Sequence, residues 1–373
     1  MRYQAAYLAD NASSVNTGGH HQPAPDGDRH RAPEHRPLDL VDLVDQDHRV
    51  ALNHAHQGNH AQQCHETEGV GLSSDNRPVT RANAPYRAPS EHYENFPVAS
   101  WLCPPALRPP IAAIYWFART ADDIADEGTA PATQRLADLA LFRKDLDAAA
   151  QGHAHSGRWP EVFDLLSRMI HRFHLPVGPL ADLLDAFRQD VEFTATGRRY
   201  QTDHELLDYC RRSANPIGRL LLHLYGVTDT HLLRRSDQLC TALQLINLWQ
   251  DLRTDIARAR WYPTMEQMLR HGLTDADLAP DQGSMRAAPM LAAYADTARD
   301  LMLQGAVLAS HLPGRAGWEL RLVIQGGLSI LEKMKVMGYA TWRMRPRLGK
   351  RDLVPLLWRA WRAYPQHPAR SLA

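Results

Sequence analysis

Ala118-Arg119-Thr120-Ala121-Asp122-Asp123-Ile124-Ala125-Asp126-Glu127 ends an apolar run with two aspartates four residues apart. About 125 residues later, Asn247-Leu248-Trp249-Gln250-Asp251-Leu252-Arg253-Thr254-Asp255 repeats the device. On an α-helix, residues four apart lie above one another, so Asp122 pairs with Asp126, and Asn247, Asp251 and Asp255 form a column. Like charges at that spacing weaken a helix by roughly 0.2–0.5 kcal/mol per pair. An acidic pair alone is ordinarily a solvated face. Here both columns adjoin apolar turns: Ile111, Ala112, Ile114, Trp116 and Phe117 before the first, Ala242, Leu243, Leu245, Ile246 and Trp249 around the second. Uncompensated charge in such surroundings is costly. Hard divalent cations with oxygen ligands offset it, and two facing carboxylate helices with Mg²⁺ between them suit a diphosphate.

The arginines near these columns fit the same chemistry. Arg119 stands three residues before Asp122, and Arg260 follows Asp255 by five. A guanidinium meets phosphate oxygens in a forked geometry that lysine cannot copy. The plainer alternative is that each arginine pairs with a neighbouring carboxylate.

Outward from these motifs the pattern is helical. Leu180, Leu183, Leu184, Phe187 and Val191 recur at three- and four-residue steps, and Leu206–Tyr225, Leu239–Ile256, Trp318–Met337 and Leu353–Trp361 behave alike. Alternating strand patterns and Asn-Gly hairpin turns are missing, and the Pro/Gly/Asp-rich stretch Leu273–Pro289 reads as the main internal loop. The expected fold is all-α, one helical domain over residues 89–373. Residues 1–88 hold nine of the twenty histidines, no lysine and little apolar periodicity. Such a stretch buries too little surface to offset the entropy of ordering it, so it reads as a disordered extension, or as an over-extended gene start. The cluster His54, His56, His60, Cys64 and His65 matches no zinc-finger spacing.

Composition narrows the function further. The chain has 373 residues and 42 Lys+Arg against 42 Asp+Glu, so no basic surplus points to nucleic acid. The four cysteines form no C-x-x-C pair and no run of about 18 apolar residues occurs, which favours the cytoplasm over a disulfide-rich or membrane-spanning setting. The amphipathic, basic stretch Lys350–Arg362 has two readings: peripheral contact with the inner membrane, or a terminal helix packed on the bundle.

Taken in order, the motifs carry a resemblance. His92-Tyr93-Glu94-Asn95-Phe96 is followed by Tyr115-x3-Arg119-x2-Asp122-Asp123-x2-Asp126. Tyr209-Cys210-x3-Ala214-x3-Gly218 comes next, then Gln244-x2-Asn247-x3-Asp251-x3-Asp255-x4-Arg260-x-Tyr262. This sequence resembles the squalene/phytoene synthases, head-to-head members of the class I isoprenoid synthases, from about His92 to Pro355. The resemblance implies a helical bundle around a deep apolar tunnel, with prenyl diphosphate at one end and Mg²⁺ on Asp122, Asp123, Asp126, Asn247, Asp251 and Asp255. It places His92, Phe96, Arg119, Gly218, Gln244, Gln250, Arg260 and Tyr262 against substrate, and Tyr209, Asn215 and Tyr115 at the chemistry.

Two departures refine it. Many relatives have Arg-Asp where this chain has Gln250-Asp251, and Ala-Gly where it has Ala214-Asn215. With the His-Tyr-Glu-Asn-Phe start and the Arg345–Lys350 tail, these look like the hydroxysqualene synthases of the bacterial hopanoid pathway. That branch takes presqualene diphosphate, ionises it and traps the rearranged cation with water. Asn215 would bring polar groups to that cavity, or else serve the helix break before Pro216. The competing readings are a complete squalene or phytoene synthase joining two prenyl diphosphates such as farnesyl diphosphate, a terpene cyclase, and an inactive helical scaffold that binds a partner synthase. A cyclase normally carries Ser or Thr and then Glu where this chain has Asp251 and Asp255, and a scaffold has no reason to keep the acidic strain.

Overall fold

Every described residue of the computed structural model lies in a helix or a connection; residues 103–362 are described, and no strand occurs among them. The 1–88 extension, its His/Cys cluster and the expected substrate residues His92 and Phe96 lie outside the described residues.

The first half is built by α1 (Arg108–Asp126), α2 (Ala132–Gln151), α3 (Pro160–Phe173) and α4 (Val177–Thr196). Two prolines in the first turn of α1 cost nothing, since the N–H groups there have no intrahelical partner. The apolar face of α1 buries Ile114, Phe117, Ala118 and Ala121 against α3 and α4. Phe117, Phe142 and Phe163 meet at ring separations of 5.1 and 4.7 Å, and Trp159 closes on Phe142 at 4.9 Å. Fully burying one such ring is worth roughly 1.5–3 kcal/mol, enough to hold the acidic end of α1 in place. Gly197 ends α4 in a left-handed conformation, φ 67°, that a β-carbon would resist.

The second half runs through α5 (Asp203–Ser213), α6 (Asn215–Leu224), α7 (Thr230–Gln250), α8 (Leu252–Ala257), α9 (Met265–Arg270), α10 (Ala288–Gly305), α11 (Leu308–His311), α12 (Gly314–Val336) and α13 (Lys350–Arg362). Its core is the seam between α7 and α10, where Trp249 stacks on Tyr294 at 4.0 Å. Two helices expected as continuous are divided. Pro216 has no N–H to continue the ladder, so α5 and α6 part at Ala214 (φ −124°, ψ −47°). At Asp251 the backbone turns to φ −98°, ψ 8°, yet Asp251 N–H still donates to Asn247 O (2.9 Å) and Asp255 N–H to Asp251 O (3.0 Å). The column of Asn247, Asp251 and Asp255 therefore survives the break. The Leu273–Pro289 loop contains two short 3-10 turns, Asp275–Leu278 and Met285–Ala287.

Candidate active site

Asp122 sits on the last turns of α1, 5 % exposed. Burial raises its pKa, and the carboxylates of Asp126 and Asp123 add to the rise against the pull of Arg119. Its Oδ2 lies 3.5 Å from Arg119 Nη1 without a hydrogen bond. Asp123 turns further outward and takes Arg119 Nη2 at 2.7 Å. Tyr115, two turns before Asp122, is buried, and that burial raises its phenol pKa. On the second column Asn247, Asp251 and Asp255 are all buried, as is Gln244 one turn before them.

The two columns meet through Arg260. Its Nη1 donates to Asp126 Oδ2 at 2.8 Å and its Nη2 to Oδ1, a two-pronged pair between segments 134 residues apart. Burial opposes the Arg260 charge, but Asp126, Tyr262 and Asp190 overcome it and hold the guanidinium firmly protonated. Ala259 aims it: this residue takes a left-handed φ of 59°, a conformation costing an alanine roughly 1–2 kcal/mol, and so reverses the chain after α8. The far end of the loop is pinned by Thr264, whose N–H donates to Tyr294 Oη (3.1 Å) and whose hydroxyl donates to Asp203 Oδ1 (2.8 Å).

Behind Arg260 lies a group the motifs did not announce. Tyr209 Oη donates to Asp190 Oδ2 at 2.8 Å. Burial pushes the Asp190 carboxyl up to about 7, Arg260 draws it down, and Asp126 pushes it up again. Tyr200, Tyr209 and Tyr262 surround it with rings 5.6–6.0 Å apart. Asp190, Tyr200, Arg260 and Tyr262 also line a small cleft. The signal was present: Leu183, Phe187 and Asp190 fall four and three residues apart, one carboxylate on the apolar stripe of α4.

Three other expected residues make contacts between helices and segments. Asn215 does not cap α6; its Oδ1 accepts from Thr241 Oγ1 on α7 at 3.0 Å, both buried. Gly218 lets α6 approach α7, because an added β-carbon would collide with Ser236 Oγ and Cys240 Sγ. Gln250 donates to Pro346 O at 2.7 Å, which holds the segment before α13 across the second column. From that segment Arg345 reaches Asp251, with Nη2 3.3 Å from Oδ2 and Nε against Oδ1.

Arginine thus stands on each acidic column: Arg119 on Asp122 and Asp123, Arg260 on Asp126, Arg345 on Asp251. Among the described residues, no three His, Cys, Asp or Glu side chains gather closely enough to hold a metal ion in this arrangement. The donor set is nevertheless all oxygen, carboxylates and one amide, which is what Mg²⁺ takes, and Asp122 Oδ2 has capacity for it.

The sequence profile of the squalene/phytoene synthases matches residues 90–352, spanning every residue of this site. The chain belongs to the squalene/phytoene synthase family. Within that family it is 31 % identical over 260 residues to the hydroxysqualene synthase of Sinorhizobium fredii, covering 69 % of this chain and 85 % of that one. The hydroxysqualene synthase of Zymomonas mobilis is 39 % identical over 194 residues, 52 % of this chain and 62 % of its own. The phytoene synthase of Mycobacterium tuberculosis is 32 % identical over 225 residues, 60 % of this chain and 71 % of its own. Among solved structures, squalene synthase HpnC from Alicyclobacillus acidocaldarius superposes with TM-score 0.59 at 35 % identity, covering 66 % of this chain and 90 % of that one. The all-α isoprenoid-synthase fold expected from the motifs is therefore the fold of this family member.

Proposed function

We propose that this enzyme converts presqualene diphosphate and water to hydroxysqualene with release of diphosphate. The observation that carries the reading is the likeness to hydroxysqualene synthases, 31 % over 85 % of one relative's length. The site supports it chemically. In the first step the carbon–oxygen bond to diphosphate breaks and its electron pair leaves with the diphosphate. Arg119 and Arg260, at the ends of the two acidic segments, are donors for that departing charge. Asp122, Asp126, Asn247, Asp251 and Asp255 are the residues that would hold Mg²⁺, which when bound lowers the energy of the leaving group.

The cation left behind rearranges, then forms a bond to a water oxygen, which gives up one proton to restore neutrality. The ring of Tyr209, fixed by its bond to Asp190, offers a π-face to positive charge, and its neighbours Tyr200 and Tyr262 exclude bulk water. Tyr115 and Asn215 belong to the same reading, as groups at the reacting end, with Gln244, Gly218 and an apolar tunnel beyond them for the chain.

Likeness to the Mycobacterium phytoene synthase at 32 % favours one second reading, a complete synthase that joins two prenyl diphosphates. The purified chain with Mg²⁺ separates them. Diphosphate release from presqualene diphosphate and none from farnesyl diphosphate supports the first; consumption of farnesyl diphosphate alone supports the second. Its substrate is amphiphilic and its product apolar, so the reading includes a cytoplasmic enzyme in peripheral contact with the membrane, beside a partner synthase that supplies presqualene diphosphate.

A further inference from the structure

The four lysines of this chain are Lys144, Lys333, Lys335 and Lys350, so three of them fall within eighteen residues near the C-terminal end. Arg343, Arg345, Arg347, Arg351, Arg359 and Arg362 join them. Against these nine basic residues, segment 333–362 holds one acid, Asp352, in a protein whose total charge is zero; with Arg345 taken by Asp251 and Lys333 by Asp352, seven remain for the surface. That acid is consumed internally: it takes Lys333 Nζ at 2.8 Å and the Gly349 N–H at 2.6 Å, fastening α13 to α12.

The same segment gathers apolar surface. Val336, Met344, Leu353, Val354, Trp358 and Trp361 are six of the twelve exposed large hydrophobic side chains among the described residues. On α13 the two faces divide sharply. Ala360 is fully buried and Leu356 packs on the core, whereas Val354, Trp358 and Trp361, spaced four and three residues apart, are 73, 53 and 64 % exposed. The Arg362 guanidinium lies 4.6 Å over the Trp358 ring. Among the described residues no helix is long and apolar enough to cross a membrane.

From this we infer that α13, with the turn before it, is a docking surface for an anionic lipid leaflet. The inference rests on the membrane-side placement put forward above and gives it a site and a lipid charge. Tryptophan at the headgroup level with a basic flank is how a helix lies in an interface without spanning it. Each basic residue near an anionic surface adds about 1 kcal/mol of attraction. A second copy of the chain fits this face poorly, because it would set one positive surface against another.

The test is sedimentation of the full chain with phosphatidylglycerol-containing vesicles and with phosphatidylcholine vesicles, without substrate. The expected result is binding to the anionic vesicles alone, weakened by salt. Trp358→Ser with Trp361→Ser, and separately Lys350→Gln with Arg351→Gln and Arg359→Gln, should each reduce it about tenfold or more at unchanged melting temperature. Equal retention by neutral vesicles, no retention by either, or a Trp358-dependent dimer in light scattering would overturn the proposal. Diphosphate release measured on the same preparations reports on the reaction separately, so failure of docking is distinguishable from failure of the proposed activity.

Discussion

Arg260 grips Asp126 with both guanidinium nitrogens across 134 residues of chain, joining the turn after the second acidic column to the end of the first. Both side chains are largely buried. Removing one member of a buried pair typically costs 3–5 kcal/mol, because the survivor keeps its desolvation penalty. Arg260→Gln is therefore expected to lose about 3 kcal/mol in urea denaturation. Exchanging the two charges, as Arg260→Asp with Asp126→Arg, should recover part of that stability and none of the activity.

Asp190 supplies a pH dependence. Its carboxyl, ordinarily near 3.8, is raised to about 7 in the folded protein, chiefly by burial. A group that holds its proton more tightly when folded destabilises the fold as pH climbs from about 4 to about 7, and the loss is complete above that window. Asp190 as a residue is only partly buried, and solvent near it screens the charge, so the loss is on the order of 2 kcal/mol or less. Asp190→Asn should raise the melting temperature at pH 8 and leave it nearly unchanged at pH 4. An equal shift at both values contradicts the assignment.

Much of this was legible in the residues because the helices here announce themselves: apolar steps on α4 and α7, and carboxylates repeated where apolar neighbours make them expensive. What escaped depends on contacts between distant segments. No local pattern says that Arg345 will reach Asp251, or that Gln250 will hold Pro346 ninety-six residues away. Gly218 matched a motif and Asn215 departed from one, yet their contacts are close packing and a tie to α7, which spacing along one helix cannot reveal. Asp190 was readable as a charge on an apolar stripe, but one carboxylate is weaker evidence than a pair.

Gln250 tests how the segment before α13 is held. Gln250→Leu keeps the side-chain bulk and leaves the Pro346 carbonyl without its donor. An orphaned buried carbonyl costs about 1–3 kcal/mol, so denaturant midpoints should fall accordingly. No change in midpoint would mean that the bond contributes nothing to the fold.

Asp122→Ala and Asp251→Ala are expected to abolish turnover with the fold intact. Asp122 is buried beside like charge, so its loss should leave the melting temperature equal or higher. Circular dichroism and a diphosphate-release assay, run on the same samples, check both halves. Normal turnover in either variant would remove the acidic columns from the mechanism.

In the proposed reaction, water ends the sequence by capturing the cation. Turnover of presqualene diphosphate with Mg²⁺ in oxygen-18 water, followed by mass spectrometry of the product, measures it directly. An alcohol carrying one heavy oxygen is expected; a hydrocarbon product, or an alcohol without the label, would overturn capture by water.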